Sequence, residues 1–206
     1  MNPTDLPPPA APAPSGQTPA APLLVVMGVT GSGKTTVGAA LGQRLGVPFA
    51  DADDFHGPAN IAKMSAGIPL DDDDRLPWLH AIGAWLAEHA AGGGVVSCSA
   101  LKRSYRDILR ASAPQVCFVH LAGDQELVRR RVAGRPGHFM PASLVASQFA
   151  TLQPLEPDER GIVLDLGRSV DQLVEDYLAA ASPGRPAGAG PGGHDDHGAG
   201  PPRTTC

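Results

Sequence analysis

The run Gly28-Val29-Thr30-Gly31-Ser32-Gly33-Lys34-Thr35 has the residue types and spacing that grip a chain of phosphates. Its glycines let successive backbone N–H groups turn inward, and a helix that starts at its end would present a positive N-terminus to the anion. Lys34 would reach the outer phosphates and Thr35 would hold Mg²⁺, so Gly28 to Thr35, with Thr36 beside them, form a Walker A nucleotide site. Both flanks fit, since the apolar run Leu23 to Met27 precedes the loop and a helical pattern follows it.

Asp51-Ala52-Asp53 is the candidate acidic pair. On an extended chain both carboxylates point the same way, one toward a metal with Thr35 and one toward an acceptor hydroxyl. Phosphoryl transfer needs charge neutralisation and a group that orients the nucleophile, so Lys34, Asp51 and Asp53 are assigned to catalysis and Thr35 and Asp51 to the metal. The third strand ends in Cys98-Ser99-Ala100-Leu101 without an aspartate, which raises the weight on Asp51 and Asp53 as the carboxylates nearest the metal. Lys102 and Arg106 stand four apart and would share a helix face as a clamp for an anionic substrate. Three lysines against thirteen arginines also single out Lys34, Lys63 and Lys102 as positions that want a compact point charge. Arg131 and Arg135 share a face near the end of a helix and would stabilise charge on the transferring phosphoryl group.

Other charged features read as structure. Asp107 is spaced to pair with Arg103 and Arg110 on the surface. Asp71 to Asp74 is a helix cap and dipole partner rather than a metal site. Trp78 and Trp85, seven apart on an apolar face, belong to a core.

The elements that must position these groups alternate. Apolar strand-like runs at 23–27, up to 51, 95–98, 116–121 and 162–166 are separated by helical patterns, the first over 34–45. This predicts an α/β, three-layer P-loop NTPase fold, a parallel sheet of about five strands with helices on both faces. Ligands then lie at the carboxyl ends of the strands, where Lys34, Asp51, Asp53, Ser99 and Lys102 occur. From 134 to about 157 prolines break the pattern around one short helix near 142–151, a lid-like connection.

Composition bounds the rest. Residues 1–22 are rich in Pro and Ala and 182–206 in Gly and Pro, so both are expected to be disordered tails around a single domain at 23–181. His194, Asp195, Asp196 and His197 read as solvated tail. The net charge of −5, with no basic stripe, excludes a nucleic-acid partner. No apolar run is long enough to span a bilayer and no signal peptide is evident, which predicts a cytoplasmic protein. Cys98 and Cys117 fall in strand-like runs and read as buried thiols.

Together these segments resemble the small bacterial-type gluconokinases, P-loop kinases related in fold to shikimate and nucleoside monophosphate kinases. The likeness rests on the Walker A loop, on Asp51-x-Asp53 with His56, on Asn60-Ile61-x-Lys63-Met64 and Gly67-x-Pro69-Leu70, and on Asp72-Asp73-Asp74-Arg75 with Pro77-Trp78-Leu79. It continues through Cys98-Ser99-Ala100-Leu101-Lys102 with Tyr105-Arg106-Asp107, then Gly137-His138-Phe139, Gln148-Phe149 and Thr151-Leu152-Gln153. The resemblance implies ATP- and Mg²⁺-dependent phosphorylation of D-gluconate at its C6 hydroxyl, in gluconate catabolism. It also implies a homodimer and a substrate pocket at Asp53, His56, Lys63, Lys102 and Arg106. Pro136 stands where a basic residue is expected, which shifts the lid charge to Arg131 and Arg135. Shikimate or a nucleoside monophosphate are the alternative acceptors; a GTP switch lacks its guanine-reading Asn-Lys-x-Asp motif.

Overall fold

The structure, a computed structural model, describes residues 21–134, 142–181 and 206. Five strands, β1 Leu23–Met27, β2 Phe49–Asp51, β3 Gly94–Ser97, β4 Cys117–Ala122 and β5 Gly161–Asp165, form one sheet in the order β2-β3-β1-β4-β5. Every pairing is parallel, with Val25 opposite Val96 on one side and Phe118 on the other.

β1 is buried along its whole length because it is the central strand and is covered on both faces. The period-2 alternation of side chains divides it. Leu24 and Val26 join Val37 and Leu41 of α1 (Lys34–Leu45) and Leu173, Val174 and Tyr177 of α7 (Val170–Ala181). Leu23, Val25 and Met27 face the other layer. There they meet Trp78, Leu79, Ile82 and Leu86 of α3 (Asp72–Glu88) and Tyr105 and Leu109 of α4 (Arg103–Ser112). The short α2 (Pro58–Ser65) precedes α3, while α5 (Gln125–Ala133) and α6 (Ala142–Thr151) join β4 to β5.

Local chemistry sets the helix starts. Asp71 caps α3 and exchanges side-chain hydrogen bonds with the backbone of Asp74 in a full capping box, as the acidic run predicts. Asp124 caps α5 through the Glu126 N–H. Gly33, in the left-handed conformation, starts α1 without any side-chain cap. A helix N-terminus left without its own carboxylate or hydroxyl cap suits an external anion.

The chain between α6 and β5 is pinned from α4. Arg106 is fully buried and pairs with Glu159 through two bonds of 2.6 and 2.7 Å, while its remaining N–H groups reach the carbonyls of Ala100, Leu101, Gln153 and Pro154. Burial pushes the Glu159 carboxyl up, but Arg106 and the Glu156 N–H outweigh that and hold it below the usual range. Arg103 binds Asp107, Glu156 and Asp158 at the surface beside this pair, and Arg110 also binds Asp107. The buried-thiol expectation holds for Cys98; Cys117 is instead joined to Cys206, a partner 89 residues away that local spacing does not reveal.

Breaking the buried pair strands a charge in a dry interior. Glu159→Ala is expected to cost about 3–5 kcal/mol of unfolding free energy, read by urea denaturation. Because the Glu159 pKa is depressed, the wild-type contribution is complete above the ordinary Glu value of about 4.3 and fades as pH falls through the lowered one. Wild-type and variant stabilities should therefore converge in acid; a constant gap across pH would remove Glu159 from this role.

Candidate active site

The Walker A loop leaves β1 at Gly28 and turns into α1. Gly28 has φ +145°, and a Cβ there would come within 3.0 Å of the Ser32 Oγ and 2.9 Å of the Leu121 carbonyl. Gly31, at φ +76°, lies so close to Val132 of α5 that any side chain would collide. Val29 turns its side chain into the core, and its carbonyl accepts a 3.0 Å hydrogen bond from the Lys34 Nζ. The ammonium is thereby folded back over the loop it is expected to serve. The Ser32 Oγ is buried without a hydrogen-bond partner among the described residues. An orphaned hydroxyl inside a nest of amides fits a phosphate oxygen. Thr35 and Thr36 are exposed in the first turn of α1.

Asp51 closes β2 and meets this loop directly. Its Oδ2 accepts from the Thr35 hydroxyl at 2.7 Å, and its Oδ1 accepts from the Asp53 N–H at 3.1 Å. A hydroxyl and a carboxylate in contact beside a phosphate site are the hard oxygen donors that Mg²⁺ takes, with phosphate and water completing the shell. Asp53 does not lie on an extended strand as its spacing suggests. Asp51 instead caps a 3-10 turn over Ala52–Phe55, and that turn carries Asp53 to the exposed rim.

Across from the loop, α2, the start of α3 and the β3–α4 connection supply a second polar group. His56 stacks on Trp78 with ring centroids 4.7 Å apart, and the Trp78 indole donates to the Ala52 carbonyl at 2.6 Å. Asn60 lies 3.4 Å from the His56 Nδ1 and donates to the Asp74 carbonyl. Lys63 is held by Asp74 at 2.6 Å, and Lys102 by Asp72 at 2.7 Å, with the Tyr105 hydroxyl also donating to Asp72. These bonds raise both ammonium pKa values and lower both carboxyls. Arg75 differs: it has no carboxylate within ion-pair distance among the described residues and touches only the Leu70 carbonyl, at 3.3 Å. Its charge is felt at His56, Asp72, Cys98 and Tyr105, so it lies near these groups. Ala100, buried in the β3–α4 connection, has φ 43°, a strained value for a side-chain-bearing residue.

A family model described as shikimate kinase matches residues 30–142. The gluconokinase of Gluconobacter oxydans (strain 621H) is 47% identical over 157 residues, covering 75% of this chain and 88% of that protein. The thermosensitive gluconokinase of Escherichia coli (strain K12) is 44% identical over 154 residues, covering 73% and 82%. A crystal structure of a gluconokinase from Sinorhizobium meliloti 1021 superposes with a TM-score of 0.72 at 49% identity, covering 77% of this chain and 90% of that one. The chain belongs to the gluconokinase family. Membership in a kinase family brings ATP use with it.

Within this gluconokinase-family chain the expected site residues fall into three groups. Gly28 to Thr36, Asp51, Asp53, His56, Lys63 and Lys102 all gather around the carboxyl ends of β1, β2 and β3. Arg106 does not join them, because its guanidinium is consumed inside the protein by Glu159 and four carbonyls. Lys102 precedes α4 as its N-cap residue, in extended backbone, so the assumed shared helix face with Arg106 does not exist. Arg131 lies half-buried in the last turn of α5, while Arg135 and Gly137-His138-Phe139 lie outside the described residues. The described part of the lid-like stretch is fixed rather than loose: Val145 of α6 is fully buried, and the Gln153 N–H binds the Leu101 carbonyl at 2.8 Å. Residue type and spacing alone do not single out Arg75, Asn60, Trp78 and Tyr105 as site residues. Only their place in the family motif signals them.

Burial is the largest influence on His56 and lowers its pKa; Asp53 raises it and Arg75 lowers it further. An NMR titration should give a His56 midpoint below 6.5, and Arg75→Ala should move that midpoint upward. A midpoint at or above 6.5, insensitive to Arg75, would remove the guanidinium from the neighbourhood of the ring.

Proposed function

We propose that this protein transfers the terminal phosphoryl group of ATP to the C6 hydroxyl of D-gluconate, giving 6-phospho-D-gluconate and ADP. The observation that carries the reading is the likeness to gluconokinases along most of the chain, joined to a site where the Thr35 hydroxyl meets the Asp51 carboxylate beside the phosphate loop.

The loop amides, the Ser32 hydroxyl and Lys34 hold the triphosphate, and the helix dipole of α1 adds to their field. Thr35 and Asp51 hold Mg²⁺, which neutralises charge on the phosphates when bound. Asp53 orients the acceptor hydroxyl and takes its proton as the new P–O bond forms. Arg75 receives the sugar-acid carboxylate in a two-pronged hydrogen bond, beside His56, Asn60 and Tyr105. This moves the anion clamp from the Lys102–Arg106 pair to α3. Lys63 and Lys102 are already neutralised by Asp74 and Asp72, so they organise the pocket wall. Arg131, with Arg135 beyond it, supplies charge to the transferring group.

The reading extends to gluconate catabolism, a cytoplasmic location and a homodimer. No helix among the described residues is long and apolar enough to cross a membrane. Ile61, Met64, Ile68 and Leu76 expose apolar side chains around α2 and the start of α3, a surface suited to a second copy.

The family model gives shikimate, also a hydroxyl-bearing monocarboxylate, as the second reading. A nucleoside monophosphate is doubly anionic and would need another free cation beside Arg75. ADP release from purified protein with Mg·ATP should require gluconate; release only with shikimate or cytidine monophosphate overturns the assignment. Lys34→Ala should lower kcat by on the order of 10² or more. Arg75→Ala should raise the gluconate KM by roughly 10-fold or more and leave the ATP KM within about twofold, as loss of a charged hydrogen bond to one substrate requires. Equal damage to both constants would assign Arg75 to the nucleotide.

A further inference from the structure

The Thr30 N–H, third in the phosphate loop, donates to the Oε1 of Gln148 at 2.6 Å across 118 residues of chain. The acceptor is fixed by packing. Val145, three residues before Gln148, is fully buried, and Phe149 and Leu152 pack on the same apolar cluster. Gln148 itself is half-buried, held on the side of α6 that meets the loop.

That contact has the geometry of a stand-in. The amides at the start of α1 would cradle the inner phosphates, and Thr30 precedes them in the loop. A carboxamide oxygen is a neutral acceptor on an amide whose neighbours are built for an anion, and a phosphate oxygen is the stronger acceptor. The same carboxamide also carries an NH₂ group, two donors of the sign a phosphate oxygen takes.

We propose that Gln148 is a nucleotide-contacting residue that reads the terminal phosphate of the bound nucleotide: its oxygen yields the Thr30 amide to that phosphate, and its NH₂ then donates to the same group. The proposal rests on the nucleotide assignment above. Gln148 thus favours the triphosphate over the diphosphate product. Its side chain contacts the phosphate and takes no part in the bond changes of the transfer itself.

Calorimetric titration of the full chain with a non-hydrolysable ATP analogue and with ADP, both with Mg²⁺, tests this. Gln148→Ala should weaken the triphosphate about tenfold and ADP less than about twofold, since only one ligand loses a hydrogen bond to charge. Gln148→Met keeps the length and packing of the side chain and should show the same split, which a purely structural role would not produce. Gln148→Glu sets a negative charge against the phosphate and should weaken the triphosphate more than Gln148→Ala does. Equal changes for both nucleotides, or none, overturn the proposal while leaving the assignment standing. Failure of the wild type to take up either nucleotide overturns both.

Discussion

The contact between Thr35 and Asp51 is the constraint on which the site depends. These residues begin one helix and end a strand that is not adjacent to β1, yet their side chains meet at 2.7 Å because β3 is inserted between β1 and β2 and all three strands run the same way. A parallel sheet brings its carboxyl ends to one edge, so a loop after β1, a turn after β2 and a connection after β3 share one rim. Gly28 reinforces this through its N–H to the Ser99 carbonyl, which ties the first and third of these segments. An antiparallel strand anywhere in this trio would carry one of the three partners to the opposite edge.

Charge compensation then decides which residues stay available. The acidic first turn of α3 does more than cap its helix: Asp72 and Asp74 each take a lysine, and Asp72 also takes the Tyr105 hydroxyl. Arg75, one helical step on, has no carboxylate within ion-pair distance among the described residues. The deep pair, Arg106 with Glu159, has the opposite job. It fixes the 153–159 stretch to α4 and to the strained Ala100 loop, and so holds the β3–α4 connection in place. One helix therefore supplies both a buried pin and the rim residues beside Lys102.

Much of this was legible in the residues. The phosphate loop, the 34–45 helix and the end of β2 at Asp51 follow from glycine spacing and apolar periodicity, both local signals. The short helix near 142–151 stood out between prolines for the same reason. What failed was long-range. Arg106 looked like a surface clamp because i, i+4 spacing reports a shared face but not what packs on it, and Glu159 lies 53 residues away. Helix α2 left no periodic trace, since Ile61 and Met64 are exposed and its fixed points, Asn60 and Lys63, are polar. Trp78 is buried, as its apolar face implies, but it also carries His56, which its spacing does not show. Asp53 reaches the rim through a 3-10 turn rather than strand alternation, so the geometry expected of the acidic pair does not hold.

The metal-dependent grip on ATP is the most direct test. ATP is titrated calorimetrically into the wild type and Asp51→Asn, each with and without Mg²⁺. The expected result is that Mg²⁺ tightens ATP binding to the wild type and that most of this gain disappears in Asp51→Asn, with metal-free affinity little changed. An equal gain in both proteins would contradict the role given to the Thr35–Asp51 contact, and no ATP uptake by the wild type would contradict the site as a whole.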